Sequence, residues 1–144
     1  MLASLFYTNP DWIETLIRIT LGVVFFAHGA QKLLGWFGGA GYRETMRTMH
    51  QFLGVPGPLA FLAIATEFLG GAGLIVGLMS RVAALGIAVT MVVAIFTVHF
   101  RYGLFLNWFG DRKGHGYEYH LLVIALAAVI VARGSGALSL DRLL

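Results

Sequence analysis

Seven ionisable residues lie inside or at the ends of long apolar runs: His28, Lys32, Glu67, His99, Arg101, Glu118 and His120. Imidazoles and carboxylates placed in this way exchange protons once their surroundings tune them. Lysine and arginine stabilise an anion or attract one. There is no cysteine, so dithiol exchange, disulfides and thiolate-held iron–sulfur clusters are excluded, and with them the four-helix thiol oxidases. His28, His99 and His120 with Glu67 and Glu118 have the donor types of a nitrogen–oxygen metal site, and facing histidines hold b-type haem. No tight ligand spacing such as HExxH supports either, so the reading is of no metal and no covalently implied cofactor.

Glu67 is the most informative of the seven. It lies nine residues beyond Pro58, roughly 13 Å along a helix at about 1.5 Å per residue. An ionisable group near a bilayer centre costs about 2.5–3.5 kcal/mol on insertion scales. Glu67 is too deep to reach the headgroups, so it must be paired, protonated or hydrated, and His28 and Lys32 are its natural partners.

The elements that position these groups follow from composition. Of 144 residues, 58% are hydrophobic and 12% charged, against about 25% charged in soluble domains. Mean hydropathy is +0.81. The chain reads as an all-α membrane protein, one integral membrane domain over residues 1–144 with spans at about 12–35, 58–79, 81–101 and 117–133. Asp11 after Pro10 is an N-cap candidate. The fourth span is short and qualifies only with Glu118 and His120 inside it. The leader Met1–Pro10 has no Lys or Arg, so the first apolar stretch is expected to be a retained span, not a cleaved signal.

Four alternating spans bring the end of the first, the start of the second, the end of the third and the start of the fourth to one membrane face. All seven ionisable residues therefore belong to one end of the bundle, and the two termini share the other side. On the first helix, Arg18, His28 and Lys32 fall within an arc of about 80° that also holds Gly22, Phe25 and Gly29. On the second, Glu67 shares its stripe with Ala60, Ala63, Gly70 and Gly71, small residues that let backbones approach. Gly73 and Gly77 form a GxxxG pair read as helix packing. The Gly70–Gly73 run lies inside a span and is no phosphate loop.

The connectors are also informative. Tyr42, Met46, Met49 and Leu53 fall on one arc between the first two spans, with Arg43, Arg47 and His50 elsewhere. This predicts a short amphipathic helix in the membrane interface; a lid packed on the bundle fits the same pattern. The stretch Leu104–Phe109 carries apolar and aromatic groups, with Trp108 suited to headgroup depth. Arg43, Arg47, Arg101, Arg112 and Lys113 border the face with the cluster, and Arg81, Arg133 and Arg142 the other. Five against three is a positive-inside bias towards a cytoplasmic cluster. The net charge of +3 suits bilayer orientation and anionic headgroups, not nucleic acid.

The series Arg18, Gly22, His28-Gly29, Lys32-Leu33 and Gly35-Trp36-Phe37-Gly38-Gly39 resembles the first span of DoxX-family membrane proteins. Glu67-Phe68-Leu69-Gly70-Gly71, then Gly77-Leu78 and Arg81, match the second. His99, Gly116-Tyr117-Glu118-Tyr119 and the tail Gly134-Ser135-Gly136 with Ser139-Leu140-Asp141 extend the likeness over nearly the whole chain. The resemblance implies a small four-helix membrane protein of a kind often labelled an oxidoreductase subunit. Some relatives are similar to the membrane subunit of thiosulfate:quinone oxidoreductase.

These residues lead to the expectation of a redox-system membrane subunit that binds quinone or a small anionic reductant. Glu67, His28 and Glu118 would act in catalysis by moving protons, while Lys32, His99, Arg101 and His120 bind the substrate. Lipid is the surrounding partner, a homo-oligomer or larger membrane complex the assembly, and a prokaryotic inner membrane the location. A non-catalytic membrane anchor and a small-solute carrier are the alternatives.

Overall fold

The computed structural model describes residues 6–144; residues 1–5 of the leader lie outside the described residues. Five helices account for most of the fold. Helix α1 is Trp12–Leu34, α2 is Gly41–Gln51, α3 is Gly57–Val76, α4 is Ser80–Tyr102 and α5 is Glu118–Arg133. No strand occurs among the described residues. Helices α1, α3 and α4 are long and apolar enough to cross a membrane. Helix α5 has 16 residues.

Local chemistry explains the ends. Asp11 accepts a hydrogen bond from Ile13 N at 2.9 Å and caps α1, which satisfies one of the free first-turn amides. Helix α3 stops at Val76 because Gly77 takes a left-handed conformation, φ 73°. A side chain there would collide with Ser139. The Gly73–Gly77 pair is therefore not a helix–helix contact, as spacing suggested: Gly77 ends the helix and makes room for the C-terminal tail.

Consecutive long helices run antiparallel. Gly29 of α1 faces Phe68 of α3, and further along Gly22 faces Ile75. A Cβ on Gly29 would overlap the Phe68 backbone, and one on Gly71 would overlap Phe26. Hydrocarbon outside the bundle provides no hydrophobic drive between helices, so such close backbone packing holds α1 on α3. Helix α4 packs on α5 and on the second half of α3. The core joins Leu21, Phe25, Leu74, Ile87, Met91 and Ile130. Outward faces are apolar too, with Phe96 71% and Leu69 65% exposed. In water that surface would be an aggregation liability; in lipid it is ordinary. The chain is an integral membrane protein.

Candidate functional site

The centre of the site is an ion pair. Lys32 Nζ, in the last turn of α1, lies 2.6 Å from Glu67 Oε1 on α3. The Glu67 side chain is 4% exposed and that of Lys32 36%. Glu67 meets Lys32 because Gly29, one turn earlier, allows α1 to touch α3 at Phe68. Oε2 of the same carboxylate has no hydrogen-bond partner among the described residues. Glu67 also sits in a π-helical turn, Thr66–Gly70. Such wide turns are uncommon and concentrate at functional sites.

A second π turn, Ile95–His99, ends on His99 of α4. Its ring lies 4.1 Å from that of His120 on α5. His99 Nδ1 is 2.8 Å from the His115 carbonyl, which fixes the ring. His120 is buried, and its Nδ1 finds no partner among the described residues. The Tyr119 hydroxyl is likewise buried and unpartnered.

These groups share one cavity of about 1190 Å³, lined by His28, Lys32, Glu67, His99, Tyr119 and His120 on its polar wall. The other walls are largely apolar. Leu59 and Leu62 of α3 and Leu85 and Val89 of α4 also line it. All four are more than half exposed, so the cavity is open along its α3–α4 side. Thr48 and Met49 of α2 lie over one side, with Leu106 and His115 from the α4–α5 connector nearby. An apolar slot with a few convergent polar groups is the usual form of a small-molecule site. It supplies an acceptor at Glu67, a hydroxyl at Tyr119 and imidazoles that donate or accept according to tautomer.

Five of the seven sequence candidates therefore line one cavity: His28, Lys32, Glu67, His99 and His120. Among them, Lys32 with Glu67 and His99 with His120 are in contact; His28 packs against Phe25, ring centroids 6.4 Å apart. Glu118 and Arg101 lie outside the lining. Glu118 Oε1 accepts from Leu106 N at 3.0 Å and anchors the connector. Arg101 is exposed at the rim, its guanidinium 5.1 Å from the Tyr102 ring centroid. Tyr119 was not singled out by sequence; its one signal is its place beside His120 in the motif opening α5. Among the described residues no three His, Asp or Glu side chains converge as metal ligands.

No solved structure matches the chain. Two curated proteins do, each over 88% of this chain. One is "Putative oxidoreductase CatD" of Bacillus subtilis (strain 168), 29% identical over 82% of its own length. The other is "Inner membrane protein YqjF" of Escherichia coli (strain K12), 31% identical over 88% of its own length. The DoxX family model matches residues 13–100, a stretch that takes in the α1–α3 contact, the Lys32–Glu67 pair and His99. The chain belongs to the DoxX family.

Proposed function

We propose that this chain is the ligand-binding membrane subunit of a redox system and that its cavity takes a quinone. One observation carries the reading: a largely apolar cavity of about 1190 Å³ is lined by Glu67, Tyr119 and His120, each of which holds a buried polar atom without a partner among the described residues. A quinone ring with a hydrocarbon tail has the matching division of polar and apolar surface. A small anionic reductant suits the site less well, because Glu67 already neutralises Lys32. The word oxidoreductase in the name of CatD supports the redox class. With no thiol of its own, the chain would leave electron exchange to a partner subunit or second substrate.

In this reading Glu67 and His28 handle protons, His99 and His120 bind ring oxygens, and Lys32 holds Glu67 in place. Glu118 acts indirectly, by anchoring the backbone at Leu106. Helix α5 completes a four-span bundle, which puts both termini opposite the cavity end. Helix α2 lies in the interface over the cavity mouth, and exposed Trp108 and Phe109 sit at headgroup depth. The membrane is a prokaryotic inner membrane with the cavity end cytoplasmic. Cysteine introduced at Lys113 should resist an impermeant label on intact cells; labelling from outside reverses the orientation.

Native mass spectrometry of the chain extracted with its lipids tests the function. A bound quinone is expected, and Glu67→Gln should weaken its retention. Finding only phospholipid in the cavity would overturn the reading in favour of a non-catalytic anchor.

A further inference from the structure

The polar wall contains an asymmetry that a quinone alone does not satisfy. Glu67 is a carboxylate in its ion pair with Lys32, and a carboxylate has acceptors only. Lys32 takes Oε1 at 2.6 Å. Oε2 is buried, unpartnered among the described residues, and belongs to a side chain only 4% exposed on the cavity wall. A ligand group that reaches Oε2 must bring a hydrogen. The other two unpartnered atoms are less demanding. Tyr119 Oη donates or accepts, and His120 Nδ1 does either according to tautomer.

The two redox forms of a quinone answer this wall differently. An oxidised quinone presents two carbonyl oxygens and no donor. It could accept from Tyr119 and His120, but against Glu67 it would set lone pair against carboxylate. The reduced form presents hydroxyls, each of which donates once and still accepts. A hydroxyl that donates to Glu67 Oε2 leaves its oxygen free to accept from Tyr119. A site with a buried charged acceptor penalises the analogue that lacks the donor, because the acceptor then stays desolvated and unpaired.

Resting on the quinone reading above, we infer that the cavity is specific for the reduced, hydroxyl-bearing form of the ring, with Glu67 Oε2 as the specificity-determining acceptor and Tyr119 as a further ligand contact. The ring's hydroxyl points to the α1–α3 seam, and its tail leaves between α3 and α4 past Leu62 and Val89. This is a binding preference and involves no electron transfer within the chain. A protein of this kind would hold a quinol for an oxidising partner or draw it out of the membrane.

The test uses the full chain in lipid nanodiscs, titrated calorimetrically with empty nanodiscs subtracted. Two ligand pairs are compared: decylubiquinol against decylubiquinone, without oxygen, and the redox-inert 4-decylphenol against 4-decylanisole. The hydroxylic member of each pair should bind about ten-fold tighter or more, the scale of a hydrogen bond to a charged group. Glu67→Gln should collapse that ratio towards one, since an amide offers both an acceptor and a donor. Tyr119→Phe should weaken both members alike. Equal or tighter binding of the quinone and the anisole would overturn the inference and leave the quinone site standing. Binding of none of the four would remove both. A ratio unchanged by Glu67→Gln would overturn the assignment to Glu67. If that variant does not fold, the two ratios in the native chain, with Tyr119→Phe, decide the question.

Discussion

The two ends of the bundle bury charge to opposite effect. At the end away from the large cavity, Arg18 is fully buried, yet every nitrogen has work. Its Nε donates to the Ser135 carbonyl at 2.7 Å, its Nη1 to Leu74 and Ile75, and its Nη2 to Leu138. Asp141 Oδ1 accepts from Met79 N at 2.6 Å and Oδ2 from Ser80 N at 3.0 Å, with Ser135 Oγ also donating to it. A carboxylate from the tail thereby caps the first turn of α4, where free amides and the helix dipole both favour it. Glu14 pairs with Arg133 across α1 and α5. Among the described residues, three buried atoms at this end lack partners, Glu14 Oε2, Ser80 Oγ and Arg81 Nε, but none of their residues lines the large cavity. The cavity end also has three, Glu67 Oε2, Tyr119 Oη and His120 Nδ1, and all three residues line it. The two ends do not differ in how many groups are unpaired. They differ in whether the residues that carry those groups line a cavity that a ligand can fill.

The comparison breaks most directly at Arg18. Arg18→Leu keeps much of the bulk but strands carbonyls from two segments, α3 and the tail. With each buried unsatisfied group costing about 1–3 kcal/mol, the loss should reach at least about 3 kcal/mol. Thermal unfolding in detergent would show it as a large fall in midpoint. A midpoint within a degree or two of the native chain would mean that the Arg18 end is no lock.

Asp141→Asn should come next. The amide retains one acceptor oxygen for two backbone donors and the Ser135 hydroxyl, so the trans cap on α4 weakens. A loss of about 1–2 kcal/mol is expected, the range for helix caps. Protease should then cut after the tail residues sooner than in the native chain. An undisturbed tail would assign the cap's strength to Ser135 or the backbone instead.

How much of this could be read from sequence depends on which coordinate the sequence encodes. Helical period gives azimuth and connectivity gives the end of the bundle. Together these bring His28, Lys32, Glu67, His99 and His120 to one end and suggest the Lys32–Glu67 contact. Arg18 shows the weakness of azimuth alone. It shares an arc with His28 and Lys32, but ten residues of helix, about 15 Å at about 1.5 Å per residue, put it in the opposite cluster. The tail's role was illegible because Asp141 caps amides 61 and 62 residues away, and no local pattern encodes so long a contact. The π turns under Glu67 and His99 leave no periodic mark either, since one extra residue per turn is lost in a uniformly apolar run.

Glu67→Gln sharpens the contrast from the other side. Lys32, with a third of its side chain exposed, can reach water when its partner loses charge. Glutamine keeps the shape and an acceptor for Lys32, so stability should fall by about 1–2 kcal/mol while ligand binding suffers. A loss as large as that for Arg18→Leu would make the pair a structural lock between α1 and α3, and the two ends would then be alike.

The smallest effects are expected from the two candidates outside the cavity, and they separate two kinds of rim residue. Arg101 is exposed and makes one side-chain hydrogen bond, to the Val98 carbonyl at 3.3 Å, besides its stacking on Tyr102. Arg101→Gln should therefore change stability by no more than about 0.5 kcal/mol and leave ligand affinity unchanged. Glu118 is half-buried, and its bond to Leu106 N fixes a residue that itself lines the cavity. Glu118→Gln keeps an acceptor but loses the charge on it, for about 0.5 kcal/mol and a modest drop in affinity through the loosened connector. That drop should vanish when Leu106 is already replaced by alanine, because both changes act through the same wall. Additive losses in the double variant would mean that Glu118 touches the ligand itself. A fall in affinity from Arg101→Gln alone would extend the site to the rim and bring the anionic ligand back into contention.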